Sequence, residues 1–187
     1  MPRPRSREAE AAILNATIAL LGEVGFSGLT MDGIAARAGV GKATIYRHWS
    51  SKAEVAVEAF RAFVPPLHDP DTGSFVDDIR AVLFQLVDGL SSSPLAAILP
   101  SLVEAAEHDP ELERLFKDFG MTRRAVFRGI FVRAVRRSEL RDDLDPDLAI
   151  DVLVGPIFTR RLITRGPVTR KHANAVLDLI MPVLVQG

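Results

Sequence analysis

The sequence predicts an all-α chain of about nine helices. Three observations carry this. Period-two alternation is scarce, and the 187 residues hold one Tyr and one Trp. Apolar residues recur three and four apart, the helical period. Cap chemistry also punctuates the chain, with Ser, Thr or Asp before helix starts and Gly or Pro at the stops.

Taken in order, the first helix spans about Ser6 to Val24, with Ala12, Ile13, Ala16, Ile18, Ala19 and Leu20 on its apolar face. Gly25 stops it. Thr30 is the N-cap of a short second helix, Met31 to Ala38, with Asp32 at its positive end and Gly39 beyond it. A short run, Lys42 to His48, follows. Ser51-Lys-Ala-Glu54 is a capping box opening a fourth helix to about Phe63, which Pro65-Pro66 ends. "PPLHDPDTGS", residues 65–74, is a linker by composition. A fifth helix runs from Ser74 to Ser91. Ser93-Pro94 starts a sixth, to His108, and Pro100 is expected to bend it. Asp109-Pro110 opens a seventh to Ser138, Asp145-Pro146 an eighth to Thr164, and Thr169 a ninth. The linker divides the chain into residues 1–64 and 65–187.

The overall charge of −1 excludes a uniformly basic nucleic-acid binder, but its distribution is uneven: residues 1–52 carry +3 and the remainder −4. Without cysteine there are neither disulfides nor thiolate metal sites, as suits a reducing cytoplasm. No signal peptide opens the chain and no uncharged apolar run is long enough for a membrane span, so the expectation is a cytoplasmic protein with no membrane partner.

"GVGKATIYRHWSSK", Gly39 to Lys52, admits two readings. A phosphate-binding loop needs glycine six residues before the lysine and a hydroxyl after it. Here Ala36 and Ala43 stand there, and the preceding segment is helical. A helix-turn-helix needs a small residue where two short helices cross (Ala35), glycine four later to reverse the chain (Gly39), and an aliphatic anchor (Ile45). All three are present. The second helix then presents Lys42, Ala43, Thr44, Tyr46, Arg47 and His48 outward, an N-terminus suited to the major groove. An ordinary helical corner with a solvated face has the same spacing.

The residues around this motif decide between them. "ILNATIALLGEVGFSGLTMDGIAARAGVGKATIYRHWSSKAEV" resembles the DNA-binding domain of the TetR family of transcriptional regulators, over about Arg7 to Phe63. Gly41 departs from the family's frequent serine, removing a cap hydroxyl, and Trp49 replaces a common phenylalanine. The resemblance implies an N-terminal three-helix DNA-binding domain followed by a helical ligand-binding and dimerisation domain. It implies Thr30 on a phosphate, Lys42 and Tyr46 on phosphates or base edges, Ala43 against a thymine methyl, Thr44 on a base edge or phosphate, and Lys52 as a phosphate anchor. Arg47 and His48 are placed for the backbone, with packing under Trp49 the alternative for His48. Arg3 to Arg7 is either an arm reaching DNA or a solvated tail.

In the second half, "RSELRDDLDPDLAIDVLVGPIFTRRLITRGPVT" resembles the dimerisation segment of TetR-like regulatory domains. The eighth helix is apolar nearly all round through Ile157-Phe158, and the ninth is apolar except for a polar strip at Lys171, Asn174 and Asp178. Helices near 146–164 and 169–186 are therefore expected to form a two-fold, four-helix homodimer interface. Phe84, Phe116, Phe119, Phe127 and Phe158 are candidates to line a pocket for an unidentified small-molecule effector. The expected function is a ligand-responsive repressor on a palindromic double-stranded operator, with no cofactor and no metal. An enzyme is the competing class, but His48, His68, His108 and His172 are scattered. Glu104 and His108 lack a third ligand, and no nucleophile motif is present. A helical adaptor without DNA binding is the third class.

Overall fold

The computed structural model describes residues 4–91, 95–141 and 143–185. Arg3 of the N-terminal arm, the side chain of Arg5 and the Ser93-Pro94 cap lie outside the described residues. Among the described residues there are nine α-helices and no strand: α1 Pro4–Gly28, α2 Met31–Ala38, α3 Lys42–Tyr46, α4 Lys52–Phe63, α5 Phe75–Ser91, α6 Leu95–Ala106, α7 Pro110–Arg136, α8 Pro146–Phe158 and α9 Arg170–Leu184. Two compact units form, and they do not follow chain order: Met1–Val64 joins Pro94–Phe119, and Pro65–Ser93 joins Gly120–Gly187. Thus α6 and the start of α7 belong with the N-terminal helices.

In the first unit α1 packs against α2, α4 and α6. Gly25 takes a left-handed φ of 65° inside α1, so the expected stop is a break within one continuous element. The inward face of α1 is wider than the sequence suggests. It holds Ile13, Leu14, Ala16, Ile18 and Leu21, and also Thr17, whose buried hydroxyl donates to the Ile13 carbonyl at 2.8 Å. Ala12, Ala19 and Leu20 lie at the edge of this face, half-buried. Arg7–Gly28 is long and apolar enough to cross a membrane by length and composition, yet these side chains are spent on the unit's own core. α6 contributes Ile98, Leu99, Leu102 and Ala105, and runs on through Pro100.

The second unit is built on Phe75, Ile79 and Leu83 of α5, Phe127, Ile130 and Phe131 of α7, Ile150, Leu153 and Ile157 of α8, and Ala173, Leu177 and Leu184 of α9. Phe75 and Phe131 meet edge to face, centroids 5.1 Å apart. Asp145 caps α8 and Thr169 caps α9, as expected. The eighth helix does not reach Thr164 as an α-helix. Just past Pro156, which has no N–H to donate, Thr159–Ile163 widens into a π-helical turn.

The segment that composition marks as a linker is tied down by ion pairs. Asp78 is wholly buried, and its carboxylate accepts from the Thr72 N–H at 2.6 Å and the Thr72 hydroxyl at 2.7 Å. Arg137 lies 3.4 Å and Arg133 3.8 Å away. Arg133 also pairs with Asp69 and Asp71, while Arg137 pairs with Glu139, which accepts the Phe75 N–H. Arg123 donates to the Pro65 carbonyl at 2.8 Å. Burial pushes the Asp78 carboxyl up, but the Thr72 bonds and the Arg137 guanidinium together outweigh it and hold the group below its ordinary value.

Removing the carboxylate takes the acceptor from the Thr72 N–H and hydroxyl and leaves two guanidiniums short of a counter-charge inside a part-buried network. Asp78→Ala should therefore cost about 2–4 kcal/mol in urea unfolding, and Asp78→Asn less. Because the folded group binds its proton more weakly than the unfolded one, its contribution is complete above the unfolded value near about pH 4 and is lost as pH falls through the lower folded value. That acid-side loss should be smaller in Asp78→Asn.

Candidate nucleic-acid interface

The interface is assembled by the turn between α2 and α3. Thr30 is extended at φ −134°, and its hydroxyl accepts from the Gly33 N–H at 3.0 Å, fixing where α2 begins. At the other end Gly39 adopts φ 67°, ψ 30°. The Val40 N–H donates to the Ala35 carbonyl at 3.1 Å and the Gly39 N–H to the Ala36 carbonyl at 3.3 Å, the paired bonds of a Schellman motif. Ala35 is buried at the crossing, and Ile45, wholly buried, pins α3 from behind. The three residues expected to define the motif therefore do so.

With Ile45 turned inward, α3 has its other face free. Lys42, Ala43, Tyr46, Arg47 and His48 are exposed and Thr44 is half-buried. Tyr46, the single tyrosine of the chain, keeps 54% of its surface open. His48 is exposed, its ring tilted against Trp49 with centroids 5.5 Å apart. Gly41 supplies no side-chain cap to α3.

Behind α3 the chain is held by polar contacts to α4. The buried Trp49 ring donates its N–H to the Glu58 carboxylate at 3.0 Å. Ser51 accepts from the Glu54 N–H at 3.1 Å, as a capping box requires. The Glu54 carboxylate, however, reaches one residue further back than expected, to the N–H and hydroxyl of Ser50. The Ser50 N–H bond is the main cause holding the Glu54 carboxyl below its usual value.

Three cations of this region have partners that the sequence did not reveal. Lys52 donates to the Phe26 carbonyl at 3.1 Å and lies over the Phe26 ring, 4.5 Å from its centroid. Arg37 bonds both carboxylate oxygens of Glu23. Lys42 donates to Asp32 at 2.5 Å, and this bond holds the lysine above its ordinary value. These pairs span the inter-helix turns, so they become legible only when the turns are known.

The five phenylalanines divide between the units. Phe116 and Phe119 join Phe60 in an aromatic cluster of the first, with ring centroids 5.5–6.4 Å apart. In the second, Phe127 is core, Phe84 lies under the Arg170 guanidinium, and Phe158 packs at the core's edge. An open groove on α8 and α9 is lined by Val152, Gly155, Pro156, Thr159 and His172, and by none of the five. Among the described residues no three His, Asp or Glu gather as a metal ion would need.

Residues 13–59 match the model of bacterial regulatory proteins of the tetR family, and residues 69–180 match the tetracyclin repressor-like C-terminal domain. The chain belongs to the TetR family. It is 39% identical over 181 residues to the uncharacterized HTH-type transcriptional regulator YdeS of Bacillus subtilis, covering 96% of this chain and 89% of the relative. It is 32% identical over 188 residues to the DNA-binding transcriptional repressor TetR of Mycobacteroides abscessus, covering 97% and 96%. A crystal structure of the TetR family transcription regulator SCO0332 superposes with a TM-score of 0.72 at 28% identity, covering 96% of this chain and all of that one. This TetR-family chain is accordingly a DNA-binding transcriptional regulator and not an enzyme.

The turn itself is open to test. A Cβ at Gly39 meets no atom, so only its left-handed φ opposes substitution. Gly39→Ala should cost about 1–2 kcal/mol in urea unfolding, and Gly39→Asn less, since asparagine tolerates that conformation.

Proposed function

We propose that the chain is a ligand-responsive repressor that binds a palindromic operator as a homodimer. Residues 1–64 act as the DNA-binding domain and residues 65–187 as the regulatory and dimerisation domain. The observation carrying the reading is the exposed face of α3, held from behind by Ile45. On this reading Ala43 meets a thymine methyl, Lys42, Thr44 and Tyr46 meet base edges or phosphates, and Thr30, Arg47, His48 and Lys52 hold the backbone. The relative from Mycobacteroides abscessus, named a repressor, supports repression over activation. A chromosomal DNA partner supports a cytoplasmic location.

The dimer reading rests on bare apolar surface. On α8, Leu148 and Val152 are exposed at 61% and 44%, and on α9, Leu179 and Val183 at 78% and 76%. Each pair is four residues apart and so shares one helix face, and α8 packs on α9. Side chains so apolar and so open are covered by a second copy through a two-fold interface. Two copies also present two recognition helices to grooves about 34 Å apart. For the effector, Phe84, Phe116, Phe119 and Phe158 are only partly buried, which keeps each available to an apolar molecule, whereas Phe127 is core. Effector binding lowers operator affinity by population shift through α4.

The test is a palindrome upstream of the protein's own gene, bound by pure protein and released by a candidate effector. Operator affinity equal for empty and effector-saturated dimer would sink the gating. Within this assay, Thr44→Ala should weaken operator binding, and Lys52→Ala should weaken all duplexes about equally while flattening the log–log salt slope by roughly one. A sequence-dependent loss at Lys52 would remove its role as a backbone anchor.

The interface has its own readout. Leu179→Glu with Val183→Glu places like charges on the apolar face and should yield a folded monomer in sedimentation, with operator binding lost. A double variant that remains dimeric would move the interface elsewhere.

A further inference from the structure

We propose that Asp32 is a built-in competitor of DNA phosphate for the Lys42 ammonium, and so sets the sequence-independent part of the chain's affinity for duplex. The inference rests on the reading that Lys42 faces DNA. Its observation is the pair itself: Lys42 Nζ to Asp32 Oδ2 is 2.5 Å, with 66% and 61% of the two side chains open to solvent. Lys42 is the first residue of α3, and Asp32 lies in the first turn of α2. They are brought together by the left-handed reversal at Gly39.

The chemistry is an exchange of one oxygen anion for another. A lysine ammonium is a compact charge with three rotatable donors, and a carboxylate and a phosphate present it with equivalent acceptors. An exposed pair of this kind is weak, so DNA displaces the carboxylate rather than being shut out. The displacement has two consequences. Lys42 enters the complex already neutralised, so its contact with phosphate releases fewer condensed cations than a bare lysine would. The freed Asp32 carboxylate is also left beside the DNA phosphates, where it repels them. Both effects are blind to base sequence. Asp32 therefore scales affinity for every duplex by one factor, and leaves base-edge contacts from Ala43, Thr44 and Tyr46 as they are.

A random-sequence 30-base-pair duplex is the probe, titrated by fluorescence anisotropy at several salt concentrations against the full-length chain. Asp32→Asn should raise affinity about two- to fivefold at low salt and steepen the log–log salt slope by up to about one. Asp32→Ser, a second neutral variant, should do the same, and Asp32→Glu should keep the wild-type slope. In a Lys42→Ala background only the repulsion remains to be relieved, so Asp32→Asn should raise affinity less than it does in the wild-type chain; an equal rise in both backgrounds would overturn the competition. If the neutral variants weaken binding, or leave affinity and slope unchanged while Lys42→Ala alone weakens and flattens them, Asp32 is not a competitor although Lys42 does face DNA. If Lys42→Ala itself changes nothing, the placement of Lys42 on DNA fails, and the competition fails with it.

Discussion

The burial of Ile45 is the contact on which the exposed face of α3 depends. An isolated helix of five residues does not persist in water, because nucleation fixes more dihedrals than its bonds repay. α3 is such a helix, running only from Lys42 to Tyr46 and lacking a side-chain cap at Gly41. It stands because Ile45 is wholly buried, because Gly39 reverses the chain without a Cβ, and because Trp49 anchors its exit to Glu58. Since the helix has one fully buried residue in its short span, Lys42, Ala43 and Tyr46 face water and Thr44 is half-buried. The exposure of Tyr46, Arg47 and His48 thus follows from how α3 is held.

The second unit solves a different problem. Its core is ordinary aliphatic and aromatic packing, but the chain entering α5 carries Asp69 and Asp71, and the first turn of α5 carries Asp78. They are matched to Arg133 and Arg137 at the end of α7. Asp78 is buried and satisfied by two Thr72 donors and a guanidinium, so the network fixes the segment from Asp69 to Phe75 against α7. A second network does similar work for α8: Asp147 is shared by Arg124 and Arg128, whose hydrogen bonds, Arg128 first, bring its carboxyl down to about 2.

The signals legible in the sequence were those written in neighbouring residues. Thr30, Gly39, Ser51, Asp145 and Thr169 act within three or four positions of themselves, and each caps or stops a helix where its type implies. Ala35 and Ile45 were legible because a tight corner demands a small residue and an anchor at fixed offsets. The unread features depend on distant pairings. Nothing near Pro94 shows that α6 packs with α1, some eighty residues earlier, and nothing near Asp69 shows that Arg133 awaits it. The π-helical turn after Pro156 was missed because proline reports the lost N–H but not how the next turn rewinds. For the candidate site, the outward residues of α3 were readable, while the partners of Lys42, Arg37 and Lys52 were not.

Those partners change what the basic residues mean. Charge counting treats Lys42 and Lys52 alike, as two cations of a positive N-terminal third. In the structure Lys52 is half-buried, bonded to the Phe26 carbonyl and seated on the Phe26 ring, so its stem and head join α4 to the end of α1. Its position is fixed before any ligand arrives, and a donor held in this way loses little rotamer freedom on meeting a phosphate. Lys42 is instead paired with a solvated carboxylate. If both lysines meet DNA as proposed, one is preorganised by neutral groups and the other must first leave an anion. A positive patch is therefore not one quantity: the affinity each cation gives depends on what it must release in order to bind.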